Sequence, residues 1–122
     1  MIIVDNDGTI SLYQGDSGEL TVQGLYTDKN YTVYFAIQDG NRNLIGDELS
    51  VSAVNSECVT FVLTPEYTNL LTVPKGKAYE IYYYGLKACE NNTSREDTMF
   101  IGDGTYGDLN RIIVYPRKVK GV

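Results

Sequence analysis

The polar and apolar positions of this chain alternate in short runs. In Tyr31-Thr32-Val33-Tyr34-Phe35-Ala36-Ile37-Gln38, residues 31, 33, 35 and 37 share one face and residues 32, 34, 36 and 38 the other, the period of a half-buried strand. Asp39-Gly40-Asn41 then supplies residues that turn at low cost. The same pattern, rich in Val, Ile, Tyr, Phe and Thr, predicts strands over Thr9–Tyr13, Glu19–Leu25, Glu48–Val54, Cys58–Thr64, Ala78–Ala88, Asp97–Ile101 and Arg111–Arg117, with Met1–Val4 as an edge piece. One segment, 64–71, reads as helical: Thr64 can cap and Pro65 suits the first position, giving a short turn near 65–71.

No segment has the length or period of a bundle helix, so a parallel strand–helix–strand architecture is not expected. The expected fold is an all-β antiparallel sandwich of seven to eight strands, formed as a single domain over residues 1–122. No repeat or linker interrupts it. The stretch 101–110, with three glycines and two aspartates, is the expected protruding loop.

Composition narrows the chemistry. Ten Lys and Arg stand against 16 Asp and Glu, a net charge of −6 that disfavours nucleic acid or an anionic membrane as partner. Histidine is absent, removing the commonest general base and the commonest zinc nitrogen. Ser17, Ser50 and Ser52 therefore lack an activating imidazole, as do Cys58 and Cys89. The two cysteines match no zinc or redox spacing, and with no secretory leader at Met1–Asp5 both thiols are expected reduced in a cytoplasmic setting.

Three matches to binding motifs fail on context. Asp5-Asn6-Asp7-Gly8 resembles part of a calcium loop, but the implied loop would begin at Ile3 and end at Gln14, neither of them a suitable ligand; a hairpin turn at Asp7-Gly8 is the expectation. Asp97, Asp103 and Asp108 have no spacing that fixes a metal geometry, so no metal is expected. Gly102-Asp103-Gly104-Thr105-Tyr106-Gly107 fits the dinucleotide pattern formally, yet a strand follows where a helix is required. No cofactor or catalytic residue is predicted, and the chain is expected not to be an enzyme.

Eleven tyrosines remain to be explained. In Ala78-Tyr79-Glu80-Ile81-Tyr82-Tyr83-Tyr84-Gly85-Leu86 they occupy both strand faces, one of them expected to fill the core and the other to stay half exposed. Exposed aromatics anchor protein interfaces, so Tyr82 and Tyr84 on a sheet face, with Tyr106 and Leu109 in the long loop, are the predicted contacts. Pairing along the free edge of Met1–Val4 is a second predicted mode of attachment.

Gln14-Gly15-Asp16-Ser17-Gly18, Val33-Tyr34-Phe35-Ala36-Ile37, Val59-Thr60-Phe61-Val62-Leu63-Thr64, Gly76-Lys77-Ala78-Tyr79-Glu80-Ile81 and Asp97-Thr98-Met99-Phe100-Ile101 together resemble the immunoglobulin-like N-terminal domain of phage baseplate upper proteins and related small phage structural proteins. The resemblance covers roughly residues 10 to 117. It implies an immunoglobulin-like sandwich and a non-enzymatic virion structural role, as a capsid-decorating protein or a tail or baseplate accessory. The implied partners are other virion proteins, either the major capsid protein or tail and baseplate proteins, contacted in many copies. The implied location is the virion, after synthesis and folding in the host cytoplasm. The second function class is a carbohydrate- or calcium-dependent ligand-binding sandwich that uses tyrosines and loop aspartates.

Overall fold

The computed structural model describes residues 1–99 and 110–119. Nine strands are present among them: β1 (Ile2–Val4), β2 (Ile10–Tyr13), β3 (Gly18–Gln23), β4 (Asn30–Gln38), β5 (Leu44–Val54), β6 (Cys58–Leu63), β7 (Glu80–Glu90), β8 (Glu96–Met99) and β9 (Arg111–Tyr115). One helical turn, α1 (Pro65–Thr68), follows β6. Thr64 caps it by accepting from the Tyr67 amide at 3.2 Å, and Pro65 opens it.

Two unequal sheets form an all-β sandwich. The larger runs β1-β2-β9-β7-β4-β5, with β8 also paired to β7, and the smaller is the antiparallel β3–β6 pair. Alternation decides which side chains meet between them. Tyr31, Val33, Phe35 and Ile37 of β4, Tyr82, Tyr84, Leu86 and Ala88 of β7, Ile112 and Val114 of β9, and Ile10 and Leu12 of β2 face inward. Leu20 and Val22 of β3 and Val59, Phe61 and Leu63 of β6 meet them, and all of these residues belong to one apolar cluster. Phe35 joins the sheets, its ring 5.7 Å from Phe61 opposite and 5.8 Å from Tyr84 alongside.

Three expectations are corrected. Pairing is not wholly antiparallel, because β2 runs parallel to β9, Ile10 opposite Ile112 and Tyr13 opposite Tyr115. A parallel pair needs a long crossover, and here almost the whole chain lies between the two strands. The strand count exceeds eight because Met1–Val4 does form a strand, folded back on β2 through the Asp5–Thr9 turn, where Gly8 donates to the Asp5 carbonyl and Thr9 to the Asp7 carboxylate. Finally, β5 starts at Leu44, not Glu48. Gly46 and Asp47 look like loop residues in sequence but lie in an irregularity opposite Phe35–Ile37, where Gly46 takes φ +71°. The preceding turn is held by Asp39, whose carboxylate accepts from the amides of Asn41 and Asn43; the bonds from Asn43 hold its pKa below the usual value.

Gly18 shows how β1 is anchored. A Cβ on Gly18 would stand 2.5 Å from Cδ1 and 2.9 Å from Cβ of Ile2, so the Ile2 side chain occupies the space a larger residue would need. Gly18→Ala is expected to push β1 off the sandwich, costing about 1–3 kcal/mol. Hydrogen exchange should show the Ile2–Val4 amides losing protection while the β4 amides keep theirs; unchanged protection of β1 would refute this anchoring.

Candidate protein interface

The outer face of the large sheet is built by the residues that alternate with the core. On β7 these are Ile81, Tyr83, Gly85 and Lys87, continued by Tyr79 just before the strand. The β7–β9 register sets Ile81 opposite Ile113 and Tyr83 opposite Arg111. The β2–β9 register sets Ser11 beside Ile113 and Tyr13 beside Tyr115, and β1 adds Ile3 next to Ser11.

Two rows result. Tyr13, Tyr115 and Tyr79 form an aromatic row, with centroids 5.3 Å apart for Tyr13 and Tyr115 and 6.4 Å for Tyr79 and Tyr115 in an edge-on arrangement. Beside it lie Ile3, Ile113 and Ile81. Tyr13, Tyr79 and Ile3 are each about half exposed, at 46%, 48% and 55%, and Tyr83 is 40% exposed. Contiguous aromatic and aliphatic side chains left in water are what separates this patch from scattered surface apolar residues.

The predicted contacts Tyr82 and Tyr84 are corrected by this geometry. Both are buried, at 6% and 4% exposure, because the register places Tyr82 opposite Ile112 and Tyr84 opposite Ile37 on the inner face. Their hydroxyls are spent on backbone carbonyls: Tyr82 donates to Thr72 and Tyr84 donates to Gly8 at 2.6 Å. The outward tyrosines of this segment are instead Tyr79 and Tyr83. Lys87 and Gly85 share their phase while Leu86 and Ala88 share that of Tyr82, a signal already present in the sequence. Tyr106 and Leu109 lie outside the described residues. At the rim, β1 pairs only with β2 among the described strands, and the Met1 ammonium is bound by the Asp16 carboxylate.

Among the described residues the remaining candidate groups take part in ordinary structure. Asp97 pairs with Arg95 at 3.0 Å, and among the described residues no three His, Cys, Asp or Glu groups converge as a metal site would require. Asp103 and Asp108 fall outside the described residues. Cys58 and Cys89 are free thiols. Burial and then the adjacent Glu96 push the Cys89 thiol up, away from the reactive thiolate. Among the described residues no helix is long and apolar enough to cross a membrane.

No family model matches this sequence, and no curated protein matches it. Among solved structures, the chain is similar to the periplasmic chaperone SfaE with a TM-score of 0.63 at 10% identity. The match covers 90% of this chain and 55% of the chaperone chain, so this chain spans about half the length of that structure. At that identity the likeness concerns the fold, and it agrees with an all-β sandwich.

Proposed function

We propose that this chain is a non-enzymatic immunoglobulin-like module that attaches by protein–protein contacts to a phage particle, as a capsid-decorating protein or a tail or baseplate accessory. The observation that carries the binding role is the outer tyrosine row of Tyr13, Tyr115 and Tyr79 with its isoleucine neighbours, presented on a rigid sheet. Aromatic rings bring large contact area at low entropic cost, and central aromatics dominate interface energetics. The virion as location, and the capsid or tail and baseplate proteins as partners, rest on the sequence resemblance. Copies repeated on a symmetric particle would make a modest single contact sufficient through avidity. The outer edge of β1, which pairs only with β2 among the described strands and adjoins the patch, supports strand pairing as an additional contact.

Co-sedimentation with purified particles, followed by mass spectrometry, tests the role. The wild-type chain is expected in the particle fraction. Tyr79→Ser and Tyr115→Ser are each expected to weaken association at least about tenfold, the effect of losing one central aromatic anchor. Both sites are partly exposed, so both variants should keep their thermal midpoint within a few degrees. A chain found only in the soluble fraction would overturn the virion role, and full association of both variants would overturn this face as the contact.

A further inference from the structure

On the same sheet face, toward the other end of β7, lies an open groove of about 560 Å³. It is within the range of small-ligand sites. Its floor contains Gly85 and Ala36, which pair directly across β7 and β4. Glycine in the interior of an 11-residue strand weakens that strand, so a local reason for it is expected. None is visible among the described residues. Gly85 is not in the left-handed region, and a Cβ there would meet no atom within 4 Å. Among the described residues, then, nothing fills the space over Gly85, and something outside them can approach the sheet closely there.

The groove's lining indicates what. Tyr34 supplies a partly buried aromatic ring. Gln38 and Thr98 each both donate and accept, Glu48 accepts, and Lys87 donates. Lys87 and Glu96 lie 3.6 Å apart and largely offset each other's charge, so the groove offers neither the cluster of cations an anionic ligand needs nor the purely apolar wall a lipid needs. Mixed donors and acceptors around one aromatic ring, over a flat floor, complement a pyranose, whose hydroxyls both donate and accept and whose C–H face is apolar. We propose that this groove is a binding site for a neutral saccharide, with Tyr34 under the sugar ring and Gln38, Glu48, Lys87 and Thr98 on its hydroxyls. The site does not depend on the tyrosine row or on the virion role.

The test is an array of neutral glycans, followed by NMR titration of isotope-labelled full chain. The soluble probes are maltotriose, cellotriose and triacetylchitotriose, with sialyllactose and acetyl-arginine amide as charged probes. At least one neutral glycan is expected to shift the Ala36, Gly85 and Lys87 amides saturably. Gly85→Val fills the floor with a strand-favouring residue and is expected to abolish those shifts while leaving the thermal midpoint unchanged or raised. Tyr34→Ala and the surface change Glu48→Gln should each weaken binding at least about tenfold, a loss of one good contact. The proposal is overturned if no neutral glycan binds on the array or in solution, if only the charged probes move these amides, or if Gly85→Val binds as the wild type does. A marked loss of stability in Gly85→Val would show that the glycine serves the fold, and would equally overturn it.

Discussion

Phe35→Ala is expected to lower the unfolding free energy by about 3–5 kcal/mol, the largest effect of any single side chain in this sandwich. Phe35 is fully buried at the middle of β4, which is itself flanked by β5 and β7. Its ring touches the opposing sheet through Phe61 and the neighbouring strand through Tyr84, so truncation opens a cavity at the point where both sheets meet. Relaxation cannot close that cavity easily, because the strands around it are tied by the β4–β5 and β4–β7 ladders. Phe35→Leu keeps most of the volume and should cost less than about 1.5 kcal/mol. Urea unfolding monitored by circular dichroism measures both, with the midpoint moving and the slope conserved. A loss below about 1 kcal/mol for Phe35→Ala would mean that the two sheets do not share this core.

Most of the strands were legible because each has one wet face. In β4, Thr32, Tyr34, Ala36 and Gln38 alternate with fully buried residues, so the period of two survives in the sequence. The short helical turn was legible through Thr64 and Pro65 chemistry, although it closes at Thr68 and not at residue 71. What local pattern could not express was partnership. Nothing in Ile10–Tyr13 reports that it lies parallel to Arg111–Tyr115, because that pairing depends on closing the chain over its full length. The start of β5 was hidden for a different reason: a glycine and an aspartate serve an irregularity there instead of a loop.

The candidate site was half legible. The excess of tyrosine in residues 79–84 did indicate an aromatic sheet face, but both faces are aromatic, and choosing between them requires a phase. Lys87 sets it, since a lysine of β7 cannot point into the core while Leu86 and Ala88 do. The row itself could not be read from sequence, because Tyr13 and Tyr115 come from strands about a hundred residues apart and meet only through the parallel pair. Gly85 was visible as an interruption in the strand, but its proposed meaning required knowing that no described residue fills the space above it.

The second large effect concerns two tyrosines whose hydroxyls are both buried, with opposite consequence. Tyr84 donates to the Gly8 carbonyl at 2.6 Å inside the core, so Tyr84→Phe leaves a buried acceptor unpaired and should cost about 1–3 kcal/mol at neutral pH. The hydroxyl of Tyr67 is also buried but has no hydrogen-bond partner among the described residues, so Tyr67→Phe removes a desolvation penalty and should leave stability unchanged or raise it. Both hydroxyls are pushed up to about 12 from 10, Tyr84 by burial and then Asp7, Tyr67 by burial and then Asp47. A phenol is neutral when protonated, so a raised folded-state pKa means that the folded state holds the proton more tightly than the unfolded chain does. This contribution is fully present below pH 10 and is lost as the pH rises from about 10 to about 12. Urea midpoints measured across that window should therefore fall steeply for the wild type and less steeply for either phenylalanine variant. The two variants should separate at pH 7, where Tyr84→Phe is the weaker protein and Tyr67→Phe is at least as stable as the wild type. Equal stability of Tyr84→Phe and wild type at pH 7 would remove the buried hydrogen bond to Gly8 from the account of how the β1–β2 turn is fastened to β7.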